Sequence, residues 1–178
     1  MKEKTAKKSN IALIGFMFTG KTCTGRLIAK KLGKKFVELD SVITEMADKS
    51  IEQIFAEDGE LRFRELEMQA VEKASHMKDA VISCGGGVIL NKINIDRLKN
   101  SSKVVLLTAT KEVILERANK ERAAKQTVRP VLNMARKNNK IDELIAFRKP
   151  LYEAYSDFAI DTTNFTEEEV AMKIIKKL

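Results

Sequence analysis

Short apolar runs alternate along this chain with longer stretches in which apolar residues recur at helical spacing. Ile11 to Ile14 is a continuous apolar run that ends at Gly15, and from Lys21 onward Leu27, Ile28, Ala29 and Leu32 fall on one helical face until Gly33 interrupts the pattern. Phe36 to Leu39 is a second run, ending at Asp40. Helical periodicity follows over Val42–Met46, Ile51–Ala56 and Leu61–His76. Ala80 to Ser83 predicts a third strand, running into Gly85, Gly86 and Gly87. A helix around Ile93–Leu98 leads to Val104–Leu107, whose β-branched and apolar character suits a buried parallel strand. Further helices are expected from Lys111 to about Asn119 and over Ile141–Tyr155, with a last strand at Phe158–Ile160. Thr166 followed by Glu169 has the form of a capping box opening a final helix.

Five short strands separated by helices predict an α/β fold, a three-layer αβα sandwich around a five-stranded parallel sheet. One domain spanning 10–178 is expected, with no internal repeat and no linker. Residues 1–9 carry four lysines and one glutamate and read as a flexible basic tail. The stretch from Lys120 to Lys140 is dense in Lys, Arg and Asn, with Arg129 and Pro130 near its middle, and reads as a mobile loop.

Composition narrows the function. An apolar share of 44% and a charged share of 33% are those of a soluble globular protein, and no apolar run approaches the roughly 20 residues a bilayer span requires. The basic start lacks the apolar segment of a secretory signal. Cys23 and Cys84 have no partners at metal-ligand spacing and cannot build a disulfide framework, so a reducing compartment, the cytoplasm, is expected. A net charge of +8 raises nucleic acid as a partner. The lysines are scattered along helices, however, and with two tyrosines and no tryptophan there is little to stack on bases, which favours small anionic substrates over nucleic acid.

The reaction class comes from residues 15–22, GFMFTGKT, which fit GxxxxGKT between a predicted strand and a predicted helix. Backbone N–H groups of such a P-loop, Gly15, Phe16, Met17, Phe18, Thr19 and Gly20 leading to Lys21, Thr22 and Cys23, offer donors to the phosphates of a nucleoside triphosphate, with the helix N-terminus behind them. Lys21 is expected on the β- and γ-phosphates and the Thr22 hydroxyl on Mg²⁺. A P-loop leaves the phosphoryl acceptor open. Glu38 and Asp40 stand at the carboxyl end of the second strand, where parallel sheets place ligands. Asp40 can there hold Mg²⁺ through water or take a proton from a hydroxyl acceptor; equally, it can cap the next helix. Arg64 and Glu67 share a helix face, as a site pair or as a surface ion pair. The three glycines can admit a ligand to the backbone or simply make a tight turn. Arg148 precedes Pro150 in FRKPLY, in a site or in a kinked helix.

Taken in order, the P-loop, the acidic pair, FRxxE, GGG, RPxL in a basic stretch, RxPLY and the late IDTT resemble the shikimate kinase family from Asn10 to the end of the chain. The resemblance implies a P-loop fold of the nucleoside monophosphate kinase type and ATP-dependent phosphorylation of shikimate, a step of aromatic amino-acid biosynthesis; a monomer is expected. By position it implies that Asp40 contacts the shikimate hydroxyls as base, with Glu38 near Mg²⁺ through water. Arg64 and Arg148 would clamp the carboxylate beside Gly85, Gly86 and Gly87. Arg129 would reach over the transferring phosphate from a lid at about 120–140, and Arg122, Thr162 and Thr163 would lie on the adenine side. Two positions depart from the family: Phe18 stands where glycine is usual, and Glu38 where aspartate is. Other readings remain at this point: a P-loop kinase for gluconate or a nucleoside monophosphate, or a nucleotide-binding protein in which Phe18 has abolished turnover.

Overall fold

A computed structural model describes residues 8–125 and 140–178, apart from the side chains at 122, 124 and 125. Five parallel strands form one sheet in the order β2-β3-β1-β4-β5. They are β1 (Asn10–Ile14), β2 (Lys35–Glu38), β3 (Ala80–Ser83), β4 (Ser102–Thr108) and β5 (Phe158–Asp161). β1 lies at the centre, and all five of its residues are buried. Because side chains alternate across a strand, Ile11 and Leu13 join one apolar cluster and Ala12 and Ile14 the other. The first cluster packs against α1 (Lys21–Leu32) and the C-terminal helix α8 (Glu167–Ile175) through Ile28, Val170 and Ile174. The second is covered by α2 (Leu39–Ala47), α4 (Gly59–Ser75), α5 (Lys92–Ser101), α6 (Lys111–Lys125) and α7 (Ile141–Tyr155). This is the expected three-layer αβα sandwich.

Local chemistry explains where the elements stop. α1 ends on Gly33 at φ 63°, with the Gly33 N–H returning to the Ala29 carbonyl. Thr166 and Glu169 form the expected reciprocal capping box at the start of α8. A second box, Ser50 with Gln53, opens the short helix α3 (Ile51–Gln53). Expected helix Ile51–Ala56 passes after Gln53 into a π-helical turn, Ile54–Asp58, that joins α4. Such turns cost regular hydrogen bonding and cluster at functional sites. Periodicity gives no sign of it, since a one-residue shift of register cannot be recognised in a segment only a few residues long.

Two boundaries differ in ways that bear on function. β2 stops at Glu38, so Asp40 belongs to the first turn of α2 and is not its cap; Glu38 occupies the cap position, with no side-chain cap hydrogen bond. α6 runs on to Lys125, so the first residues of the basic stretch are helical, and the rest of it, 126–139, lies outside the described residues. Of the basic tail, residues 1–7 also lie outside. Ser9 does not belong to a loose tail: its carbonyl accepts from Lys34 at 2.8 Å and its hydroxyl from the Asp79 N–H at 3.1 Å. Among the described residues no helix is long and apolar enough to cross a membrane.

Since β1 carries the P-loop at its end, core packing and the site share one element. Leu13→Ala, at a fully buried position, should cost about 2–5 kcal/mol by leaving a cavity against Ile28 and the α8 side chains. Urea denaturation followed by circular dichroism measures this; a loss under about 1 kcal/mol would show that the layer relaxes around the gap.

Candidate active site

All five strands point their carboxyl ends at one edge, and the sequence-predicted groups gather there. The P-loop leaves β1 at Gly15, whose φ of 145° is a glycine conformation and where a Cβ would run into the Leu107 carbonyl of the neighbouring strand. Thr19, buried, donates to the Phe16 carbonyl at 2.9 Å. Lys21 is largely buried, and its ammonium is held over the loop by the carbonyls of Gly15 at 2.9 Å and Phe16 at 2.7 Å. Phe18 stands at φ 62°, the left-handed region that glycine enters freely and a phenylalanine enters at a cost of about 1–2 kcal/mol. Its ring packs against the core, and its carbonyl accepts from Arg117 Nη1 at 3.2 Å. The departure at this position is therefore absorbed by backbone strain held by packing and a charged hydrogen bond, with the residue half-buried at the crevice wall.

A crevice of about 310 Å³ follows the loop from Met17 to Thr24. Thr22 and Glu38 meet on its wall, the hydroxyl donating to Oε1 at 2.5 Å, while Glu38 Oε2 is 3.4 Å from Arg26. These are hard oxygen donors of the kind Mg²⁺ takes. Among the described residues no three His, Cys, Asp or Glu side chains form a metal cage. Such a pair suits an ion that brings most of its ligands as phosphate and water. Cys23 is exposed on this wall; Cys84 is buried, and burial pushes its thiol far up.

The crevice communicates with a smaller cavity of about 60 Å³, and Met17, Asp40, Gly85 and Gly86 line both. Two arginines from different helices converge on the smaller one. Arg148, on α7 and 4% exposed, donates from Nη1 to the Gly86 carbonyl at 3.2 Å, leaving Nε buried without a partner. Tyr152, one turn on, donates to the same carbonyl at 2.5 Å and so fixes the helix to the glycine turn. Arg64, on α4, is gripped by Glu60 Oε1 at 2.9 Å and Glu67 Oε2 at 3.0 Å. A Cβ on Gly87 would overlap this guanidinium, so a larger residue there would push Arg64 out of its place in the pocket. Glu67 is 1% exposed with Oε1 unpaired; burial pushes its carboxyl above the usual carboxylate range, against the pull of Arg64. Two arginines facing one pocket, Arg148 buried and Arg64 half-buried, each oriented by other groups, form a receptor for a carboxylate.

The opposite end of the crevice is built from α6 and the loop after β5. Thr162, 2% exposed, lies against the Thr108 carbonyl at 3.0 Å and the Thr19 carbonyl at 3.2 Å. Thr163 serves the loop itself, its N–H on Asp161 and its hydroxyl accepting from the Thr110 N–H. Arg117 is a residue the sequence did not single out. It donates to Thr162 Oγ1 at 3.0 Å and to the Thr162 carbonyl at 2.9 Å as well as to Phe18, and thereby joins α6, β5 and the P-loop. A faint signal was its place beside Ala118 and one turn after Ile114, at the margin of the buried stripe of α6. The side chain of Arg122 and all of Arg129 lie outside the described residues.

This geometry has close counterparts. A sequence model of the shikimate kinase family matches residues 17–178. A shikimate kinase of Thermodesulfovibrio yellowstonii is 46% identical over 169 residues, 94% of each chain. Among solved structures, a shikimate kinase of Acinetobacter baumannii in complex with shikimate is 31% identical, with a TM-score of 0.87 covering 96% of this chain and 93% of that one. One from Aquifex aeolicus is 30% identical, with a TM-score of 0.77 covering 94% of each. The P-loop, the paired arginines at the glycine turn and these likenesses together place the chain in the shikimate kinase family, with its nucleoside monophosphate kinase-like fold.

Proposed function

We propose that this chain transfers the γ-phosphoryl group of ATP to the 3-hydroxyl of shikimate, giving shikimate 3-phosphate and ADP. The observation that carries the reading is the junction of the two cavities at Asp40. A phosphate-binding crevice and a carboxylate receptor share that one acidic wall, which puts an acceptor hydroxyl beside the terminal phosphate. Arg64 and Arg148 would hold the shikimate carboxylate against the turn of Gly85, Gly86 and Gly87. Asp40 would take the hydroxyl proton as the new O–P bond forms and the bond to the β-phosphate oxygen breaks. Lys21 and the loop amides would hold the triphosphate and its developing charge. Thr22 and, through water, Glu38 would hold Mg²⁺, which when bound would neutralise phosphate charge. The family resemblance adds Arg129, from a lid at about 120–140, over the transferring group, with Arg122 near the base. The partners in this reading are two small anions, with a monomer working in the cytoplasm and both thiols free.

Three experiments bear on this. Arg148→Lys should raise the shikimate KM and leave the ATP KM nearly unchanged. Losing a bidentate charged contact costs about 2–3 kcal/mol, or roughly 30- to 150-fold in kcat/KM. Methyl shikimate should be a poor acceptor for the parent enzyme and lose little more in the variant; equal use of acid and ester would rule out the clamp. Glu67 supplies a pH test. Its raised carboxyl pKa means that it takes up a proton earlier than an ordinary glutamate as pH falls, and Arg64 then loses its counter-charge. The shikimate KM should rise as pH falls, starting above the range in which an ordinary glutamate titrates, and Glu67→Gln should hold it high and flat. A parallel pH profile in the variant would assign the dependence elsewhere. Finally, Phe18→Gly should bind ATP as well as the parent or better, whereas Phe18→Val, β-branched at φ 62°, should bind about tenfold more weakly. Calorimetric titration separates the two, and equal affinities would show that the left-handed backbone is not under strain.

A further inference from the structure

A cavity of about 450 Å³ lies behind the phosphate-binding loop, between the sheet and the helices α6 and α7. Among the described residues Thr19 is the one lining residue that it shares with the P-loop crevice, and it shares none with the acceptor cavity. Its presence has a local cause. Leu106 of β4 and Ala159 of β5 are register partners, and because Leu106 points into the cluster under the helices, Ala159 faces the same way. A single methyl group stands there where a larger side chain would fill the floor, and Ala159 is left exposed. Helix α7 borders the space with one face, Ile145, Lys149 and Tyr152 recurring after four and then three residues.

Interiors leave few voids larger than a water molecule, and an apolar void gives ordered water nothing to bond to. Phe16, Leu106, Ile114 and Tyr152 line this one and are all buried. Its volume is that of a small-molecule site, with apolar walls and few polar groups. Those polar groups carry both signs of charge. Lys149 and Glu153 stand one turn apart at the solvent side, 71% and 58% exposed, with N–O at 4.0 Å, beyond hydrogen-bond distance. An apolar interior with one cation and one anion at its mouth complements a zwitterion that has an apolar side chain. The carboxylate would meet Lys149, the ammonium Glu153, and the side chain Phe16, Leu106 and Ile114. Two of the walls also support the active site, since the Phe16 carbonyl holds Lys21 and the Tyr152 hydroxyl donates to the Gly86 carbonyl.

We propose that this cavity is a second small-molecule site and that its ligand is an apolar α-amino acid. The site stands whether or not the chain phosphorylates shikimate. L-Phenylalanine is titrated into the ¹⁵N-labelled protein and followed by amide shifts, beside 3-phenylpropionate and phenethylamine, which each keep one of its two charges. The parent should bind L-phenylalanine saturably, with shifts centred on Ile114, Ile145 and Ala159, and saturating ADP should not displace it. Exposed ion pairs contribute a factor of roughly 2 to 5, so each analogue should bind weaker by about that factor. Lys149→Ala should weaken L-phenylalanine and 3-phenylpropionate to this extent and leave phenethylamine unchanged; Glu153→Ala should weaken L-phenylalanine and phenethylamine instead. Ala159→Leu, which fills the floor, should abolish binding of all three, while an unchanged melting temperature reports that the variant is folded. Absence of saturable shifts in the parent, displacement by ADP, or parent-like binding by the folded Ala159→Leu variant overturns the site. Equal affinity for the three probes overturns the amino acid as its ligand.

Discussion

Everything reactive in this molecule depends on the burial of β1 between two strands and two helical layers. A strand in that position cannot turn back within the sheet, so the chain leaves it only at its carboxyl end, and the same holds for the parallel strands on either side. The P-loop, the Glu38–Asp40 corner, the glycine turn and the Thr162 loop therefore come off one edge within reach of each other. Their mutual placement is a property of the sheet, and the 17-residue helix α4 and helix α7 bring the arginines to that edge from outside it.

Electrostatics divides the edge into two regions. Around the P-loop the polar groups are backbone amides, one lysine and hydroxyls, which suit a polyphosphate and its metal ion. Around Gly86 and Gly87 they are two guanidiniums that each lie over an aromatic ring, Arg64 over Phe63 and Arg148 over Phe16. Low dielectric strengthens a charge-assisted contact there and makes an unpaired charge costly, so the pocket favours an acid of matching size over a neutral sugar. Glu67 is the cost of that arrangement, a buried carboxylate satisfied at one oxygen. Asp40 stands between the regions, in the positive end of α2, where an aspartate is stabilised without being a cap.

The chain also shows how a departure from a family pattern is accommodated. Phe18 takes up glycine's backbone conformation and packs its ring against the core, and Arg117 donates to its carbonyl. Strain at one residue is thus offset by contacts that also tie α6 and the Thr162 loop to the phosphate-binding loop.

The alternation of short apolar runs with helical periodicity was enough to place five parallel strands in an αβα sandwich, because a strand buried on both faces has to be apolar throughout. GxxxxGKT identified the phosphate loop because its chemistry is carried by backbone and by contiguous residues. The roles of Asp40, Arg64 and Arg148 stayed ambiguous in sequence, each with a local structural explanation, since their meaning depends on partners more than twenty residues away. Tertiary structure decided that Asp40 sits inside a helix turn, that two arginines 84 positions apart face one glycine turn, and that Glu67 is buried. It also revealed Arg117. Local spacing cannot record it, because a guanidinium bridging three segments leaves no period in the chain: it is defined by what folding brings next to it.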